Sequence, residues 1–123
     1  GVICVDSGFE VGVAGAAGMD VKETERLAKV ATQAEAIELI CAFVQLYREN
    51  AKYLDRPYKW VAKVGLDWVK ARVVDDLESR RALVARFDLS QRVYQKDPWA
   101  EQATPDRART FQPLADIVLE AAE

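Results

Sequence analysis

The chain has 123 residues, 50% of them apolar and 30% charged, with a net charge of −3, two cysteines and no histidine. That is the length and balance of one foldable globular domain. It excludes a Cys/His zinc site, a four-cysteine cluster held by this chain alone, histidine acid–base catalysis and a Ser-His-Asp triad.

The charge is unevenly spread. Residues 48–96 hold 12 Lys/Arg and 7 Asp/Glu, whereas the flanks hold 5 and 13. The plainer reading is a basic face meeting acidic flanks or solvent; the sharper one is a surface for an acidic partner. A net negative chain argues against a nucleic-acid partner. Cys4 and Cys41 both sit in apolar runs, so each is expected to be a small buried hydrophobe in a reduced, cytoplasmic setting. No apolar run approaches the roughly 18 residues of a membrane helix, so no membrane partner is expected. The start, Gly1-Val2-Ile3, carries no basic signal region and no Met. It opens on a strand, as a domain excised from a longer protein would.

Three regions follow in chain order. Residues 1–31 read as a β-hairpin and a glycine/alanine loop, 32–95 as a helical body, and 96–123 as an irregular docking tail. The fold class expected is therefore α+β. In the hairpin, Gly1–Val5 is apolar and β-branched, and Phe9, Val11 and Val13 alternate onto one face. Asp6-Ser7-Gly8 supplies the turn, with Gly8 providing the positive φ. Ala14-Gly15-Ala16-Ala17-Gly18 has almost no side-chain volume. It is either a plain turn or a place where backbone closes on a ligand, a cofactor or another strand. It is not a P-loop and lacks GxGxxG. Val21, Leu27 and Val30 allow one short strand with a loop in 19–31.

Thr32–Tyr53 is the clearest helix. Thr32 and Glu35 form a capping box. Ile37, Ile40, Cys41, Val44 and Tyr47 form its main apolar stripe, widened by Leu39, Phe43 and Leu46. Pro57 opens a short helix to Val64, and Gly65 caps it. Another helix runs from Leu66 to about Asp75, with Val69 and Val73 on one face. A last one covers 76–95, with Leu77, Leu83, Val84, Phe87 and Tyr94 inside. Arg80, Arg81, Arg86 and Arg92 lie mostly opposite, near carboxylates such as Asp76, Glu78 and Asp88. In the tail, Trp99 and Phe111 are expected anchors, and Leu114–Ala122 a short terminal helix.

No local pattern makes a nucleophile and base. Asp75 and Asp76 are adjacent and point apart, so they form a poor acid–base pair. Tyr47, Tyr53, Tyr58, Trp60 and Trp68 read as core or interface rather than as a stacking platform. No catalytic residue is assigned.

Several strings nonetheless carry a resemblance. Gly1-Val2-Ile3-Cys4-Val5-Asp6-Ser7-Gly8-Phe9-Glu10 leads into the Ala14–Gly18 run. Tyr47-Arg48-Glu49-Asn50-Ala51-Lys52-Tyr53-Leu54-Asp55-Arg56, Val64-Gly65-Leu66-Asp67 and Lys96-Asp97-Pro98-Trp99-Ala100-Glu101 follow in order. Together they resemble the C-terminal part of the large subunit of assimilatory NAD(P)H-dependent nitrite reductases, within the sirohaem/[4Fe-4S] nitrite/sulfite reductase superfamily. The likeness covers about residues 1–114.

That resemblance implies a flavoprotein passing electrons from NAD(P)H through FAD and an iron–sulfur centre to sirohaem coupled to [4Fe-4S], which reduces nitrite to ammonium. It also implies a Cys-x-x-x-Cys cluster motif shortly before the residues matching Gly1. Neither Cys4 nor Cys41 fits that motif, so no metal ligand is assigned to this chain. Gly15 and Gly18 are expected to approach the cofactor compartment of the intact subunit by their backbone. The expected partners are the remainder of the large subunit, the small subunit, and a second copy through the hairpin edge. On its own the chain is expected to be inactive. The competing reading is an independent helical interaction module using the basic 48–96 surface.

Overall fold

The computed structural model describes residues 1–94. Contacts divide the chain into a unit Gly1–Gln91 and a unit Arg92–Glu123. The expected anchors Trp99 and Phe111 and the helix Leu114–Ala122 lie outside the described residues.

The α+β class holds. Strands β1 (Val2–Val5), β2 (Gly8–Val13), β3 (Ala16–Ala17), β4 (Val21–Lys22) and β5 (Glu25–Val30) precede the helices. Helices α1 (Gln33–Asn50), α2 (Pro57–Val64) and α3 (Leu66–Lys70) follow, then a π-helical turn Ala71–Asp75, then α4 (Leu77–Tyr94).

The hairpin forms as its alternation requires. Val2 pairs with Val11 and Val5 with Gly8, antiparallel, and Gly8 takes φ +125°. Val11 and Val13 are buried and Phe9 packs beside them. The hairpin is not alone, however. β5 pairs antiparallel with β2, giving a three-stranded sheet in the order β1-β2-β5. The single short strand expected in 19–31 is therefore corrected to two strands. The register shifts between Val11 and Gly12, so that Val11 faces Ala28 and Gly12 faces Arg26. Leu27 is the extra residue of this bulge, and it is buried at 3% exposure. A bulge breaks period-two alternation, which hid this strand from pattern reading.

Helix α1 begins on the capping box: the Glu35 amide donates to Thr32 Oγ1 at 3.2 Å, and the Thr32 amide donates to Glu35 Oε2 at 3.0 Å. It ends at Asn50 rather than Tyr53. Its buried face also differs from the expected stripe. Ala36, Leu39, Ala42, Phe43 and Leu46 are buried, while Ile37 is 51% exposed. The two alanines explain the rotation. A helix approaches a sheet most closely where its side chains are smallest, and large residues alone mislocate that line.

The short helix α2 starts with Pro57 at its first turn and ends on Gly65, whose amide donates to the Val61 carbonyl and whose φ is +88°. The expected helix to Asp75 is α-helical only to Lys70 and π-helical beyond. Val69 and Val73 nevertheless both lie fully buried on one side. Asp76 caps α4, its carboxylate accepting from the Ser79 amide at 2.9 Å.

The core joins sheet and helices. Val11, Val13 and Leu27 meet Leu39, Phe43, Trp60, Val61, Val69, Val73 and Leu83 in one cluster. Each fully buried aliphatic side chain here stabilises the fold by about 1.5–3 kcal/mol. Trp60 lies at the aromatic centre, edge-on to Tyr47, Phe43 and Trp68 with ring centroids 5.5, 6.1 and 6.3 Å away. Tyr53, by contrast, is almost fully exposed.

Two arginines of α4 reach a different partner from the one expected. Arg80 pairs with Glu38 at 2.9 Å, and Arg86 grips both oxygens of Glu49 at 2.7 and 2.9 Å. Both carboxylates belong to α1, not to neighbours in α4. Sequence proximity favoured Asp76, Glu78 and Asp88, whereas the tertiary fold brings α1 beside these arginines.

Candidate functional site

The glycine/alanine segment folds into a second, smaller hairpin. β3 and β4 pair through Ala16 with Lys22 and Ala17 with Val21, leaving Gly18-Met19-Asp20 at the tip. Ala14 starts it from a left-handed conformation, φ +60°, and is itself buried. Only a small side chain tolerates both conditions together.

The close backbone approach expected of this segment is partly met from within the chain. A Cβ on Gly15 would lie 2.6 Å from Thr24 Cγ2, and one on Gly12 would lie 2.9 Å from Thr24 Oγ1. Thr24 therefore occupies the space that both glycines leave. Gly18 differs: a Cβ there meets no described residue within 4 Å. Of the two glycines expected at the cofactor compartment, Gly15 is required by packing among the described residues and Gly18 is not.

Gly15 and Gly18 do share one surface. They line an open groove of about 540 Å³ with Ala16, Ala17, Met19 and Asp20 on one side and Arg56, Pro57 and Tyr58 on the other. Tyr58 Oη reaches Asp20 Oδ2 at 3.5 Å, joining the hairpin tip to the start of α2. The segment before Pro57 is held from beneath. Tyr47 Oη donates to the Asp55 carbonyl, and Lys63 Nζ donates to both Asp55 carboxylate oxygens at 2.8 and 2.9 Å. Those Lys63 bonds hold the Asp55 carboxyl below its ordinary range. Leu54 sits in this turn at φ +67° with its side chain in solvent. Sequence reading missed Arg56 and Tyr58 as groove residues, because only the tertiary fold brings α2 to the hairpin tip.

Among the described residues, the groove contains one cation, one carboxylate and one phenol, and no nucleophile–base pair. A [4Fe-4S] cluster needs four thiolates, and this chain has two cysteines. Contrary to expectation, Cys4 is exposed on β1, and Cys41 is half-buried on α1. Burial, and then the negative charge of Asp88, push the Cys41 thiol up, away from the thiolate form. Among the described residues, no group of three His, Cys, Asp or Glu side chains could hold a metal. The residues of this chain alone do not fit the cluster. Nor is any described helix long and apolar enough to cross a membrane.

Comparison with known proteins places this arrangement. Residues 1–81 match the family described as the nitrite and sulphite reductase 4Fe-4S domain. The chain is 39% identical over 101 residues, 82% of its length, to a protein of Bacillus subtilis (strain 168) named Nitrite reductase [NAD(P)H]. It spans 12% of that relative's length. No solved structure matches it. The matched residues run from the edge strand through both glycine-bearing hairpins, the buried aromatic centre and the capped start of α4, so nearly all of the unit described above is shared: the chain belongs to the nitrite and sulphite reductase 4Fe-4S domain family.

Proposed function

We propose that this chain works as part of an NAD(P)H-dependent nitrite reductase that reduces nitrite to ammonium in the cytoplasm, with FAD, sirohaem and [4Fe-4S] as its cofactors. The observation that carries this reading is the 39% identity over 82% of the chain to the Bacillus subtilis enzyme. The cluster thiolates come from elsewhere in the enzyme, since this chain's own donor set does not suffice. Its contribution is a packed wall: the Gly15–Asp20 hairpin and the Arg56–Tyr58 turn present a surface of small residues with one arginine. That surface faces the cofactor compartment, and the remainder of the large subunit and the small subunit complete the site.

The basic-module alternative loses ground for a specific reason. Lys63, Arg80 and Arg86 of the 48–96 region are engaged by Asp55, Glu38 and Glu49 of the same chain.

Ammonium formation from nitrite by the intact enzyme, with NADH or NADPH as donor, tests the activity; an intact enzyme that forms none overturns it. For the wall, Gly18 is the cleaner probe, because a larger residue at Gly15 would strike Thr24 whatever lay outside. Gly18→Leu in the intact enzyme is expected to lower sirohaem absorbance and ammonium formation together. Normal cofactor content and normal turnover in that variant would remove Gly18 from the compartment.

A further inference from the structure

The two edges of the three-stranded sheet are built differently. β5, at one edge, reads Glu25-Arg26-Leu27-Ala28-Lys29-Val30 and carries three charged residues. Its Arg26 pairs with Glu10 of β2 at 3.6 Å. Charges of this kind are how sheets protect a solvent edge. β1, at the other edge, reads Val2-Ile3-Cys4-Val5, with no charge, no proline and no bulge against β2.

The hydrogen-bond phase of β1 is set at its start. The Gly1 amine donates to the Gly12 carbonyl at 2.7 Å, and the Gly12 amide donates back to the Gly1 carbonyl at 2.8 Å. Antiparallel pairs alternate between bonded and non-bonded. Ile3 and Val5 therefore turn their amides and carbonyls toward β2. Val2 and Cys4 turn theirs outward, where no described residue receives them. The side chains are equally uncovered. Val2 and Cys4 lie on the Phe9/Val11 face and Ile3 on the opposite one, yet Val2 is 43% and Ile3 62% exposed. A strand apolar on both faces is the pattern of a sheet interior, not of an edge.

The geometry points to β1 being an interior strand in the assembled enzyme. Its outer edge receives a further extended, apolar strand supplied by another part of the same polypeptide. This rests on the reading that the chain works within a longer enzyme. The length of polypeptide outside it favours that occupant: the chain spans 12% of its Bacillus subtilis relative. A strand from the same polypeptide also avoids the translational entropy that a second copy would lose. The added strand accepts from the Val2 and Cys4 amides and donates to their carbonyls, and it covers Val2 and Ile3.

Residue-resolved hydrogen exchange on the intact enzyme tests this. The amides of Val2 and Cys4 are expected to be protected as strongly as those of Ile3 and Val5, by about 100-fold or more over free exchange. Alternating protection, with Val2 and Cys4 near the free rate, would overturn the proposal. Protection at Val2 and Cys4 that vanishes on dilution to a monomer would also overturn it, in favour of a second copy. Ammonium formation, measured on the same preparation, separates the two readings. Protection without nitrite reduction refutes the proposed activity and keeps the strand, and turnover with an alternating pattern does the reverse.

Discussion

In the helical region, polar groups close on one another across elements. Glu38 meets Arg80, Glu49 meets Arg86, Asp55 meets Lys63, and Arg48 donates to Ser90. Its aromatic rings do the same, gathered around a Trp60 that is 2% exposed. In the sheet, the middle strand β2 is paired on both sides, while the outward amides of β1 meet no described residue and its apolar side chains are exposed. The two regions share one core, and what each leaves open differs: the helical region leaves two buried side-chain atoms, Gln45 Oε1 and Trp60 Nε1, without a partner among the described residues, whereas the sheet leaves a whole strand edge. An apolar residue alone does not mark a core position; a neighbour must be there to cover it.

Substitutions sharpen that contrast. The largest effect belongs to Trp60→Ala, which empties the aromatic centre and should destabilise the chain by about 3–5 kcal/mol, read from a denaturant midpoint. Gly8→Ala comes next. Gly8 holds φ +125°, and a Cβ there would lie 2.2 Å from the Val30 carbonyl oxygen, so β2 and β5 must part. About 2–3 kcal/mol is expected, with fluorescence of the helical aromatics retained below the transition. Thr32→Ala removes the cap of α1 and should cost about 1 kcal/mol.

Arg86→Ala is smaller and depends on pH. Its bonds hold the Glu49 carboxyl below its ordinary value of 4.5. A depressed carboxyl stabilises the fold above that value, and the stability is lost as pH falls through the lower folded value. Solvent around both side chains limits the effect to below about 1 kcal/mol. The variant should therefore differ from wild type at neutral pH and converge with it in acid. Smallest of all, Ile3→Lys should shift the stability of the 123-residue chain by no more than about 0.5 kcal/mol, because Ile3 is already in water. A loss of several kcal/mol there would show that β1 is covered within this chain, and the contrast would fail.

Much of this was legible locally. The Thr32–Glu35 box, the Pro57 start, the Gly65 cap and the Asp6-Ser7-Gly8 turn are each written in a few adjacent residues, because capping and turn geometry need no distant partner. The candidate site was legible only in half. The small residues 14–18 marked a close approach, but not that Thr24 fills it beside Gly15 or that Arg56 and Tyr58 form the opposite wall. β5 was obscured by its bulge, and the buried side of α1 by Ala36 and Ala42, whose importance is closeness rather than hydrophobicity.

The amino-acid sequence by itself determined the α+β class, most element boundaries, the lack of a self-contained cluster site and the family. These depend on composition and short-range chemistry. Only the tertiary structure decided which face of α1 is inside, which carboxylates hold Arg80 and Arg86, and that β1 is left open. Those depend on which surfaces meet, and nearness in space is set by the packing of the whole unit rather than by spacing along the chain.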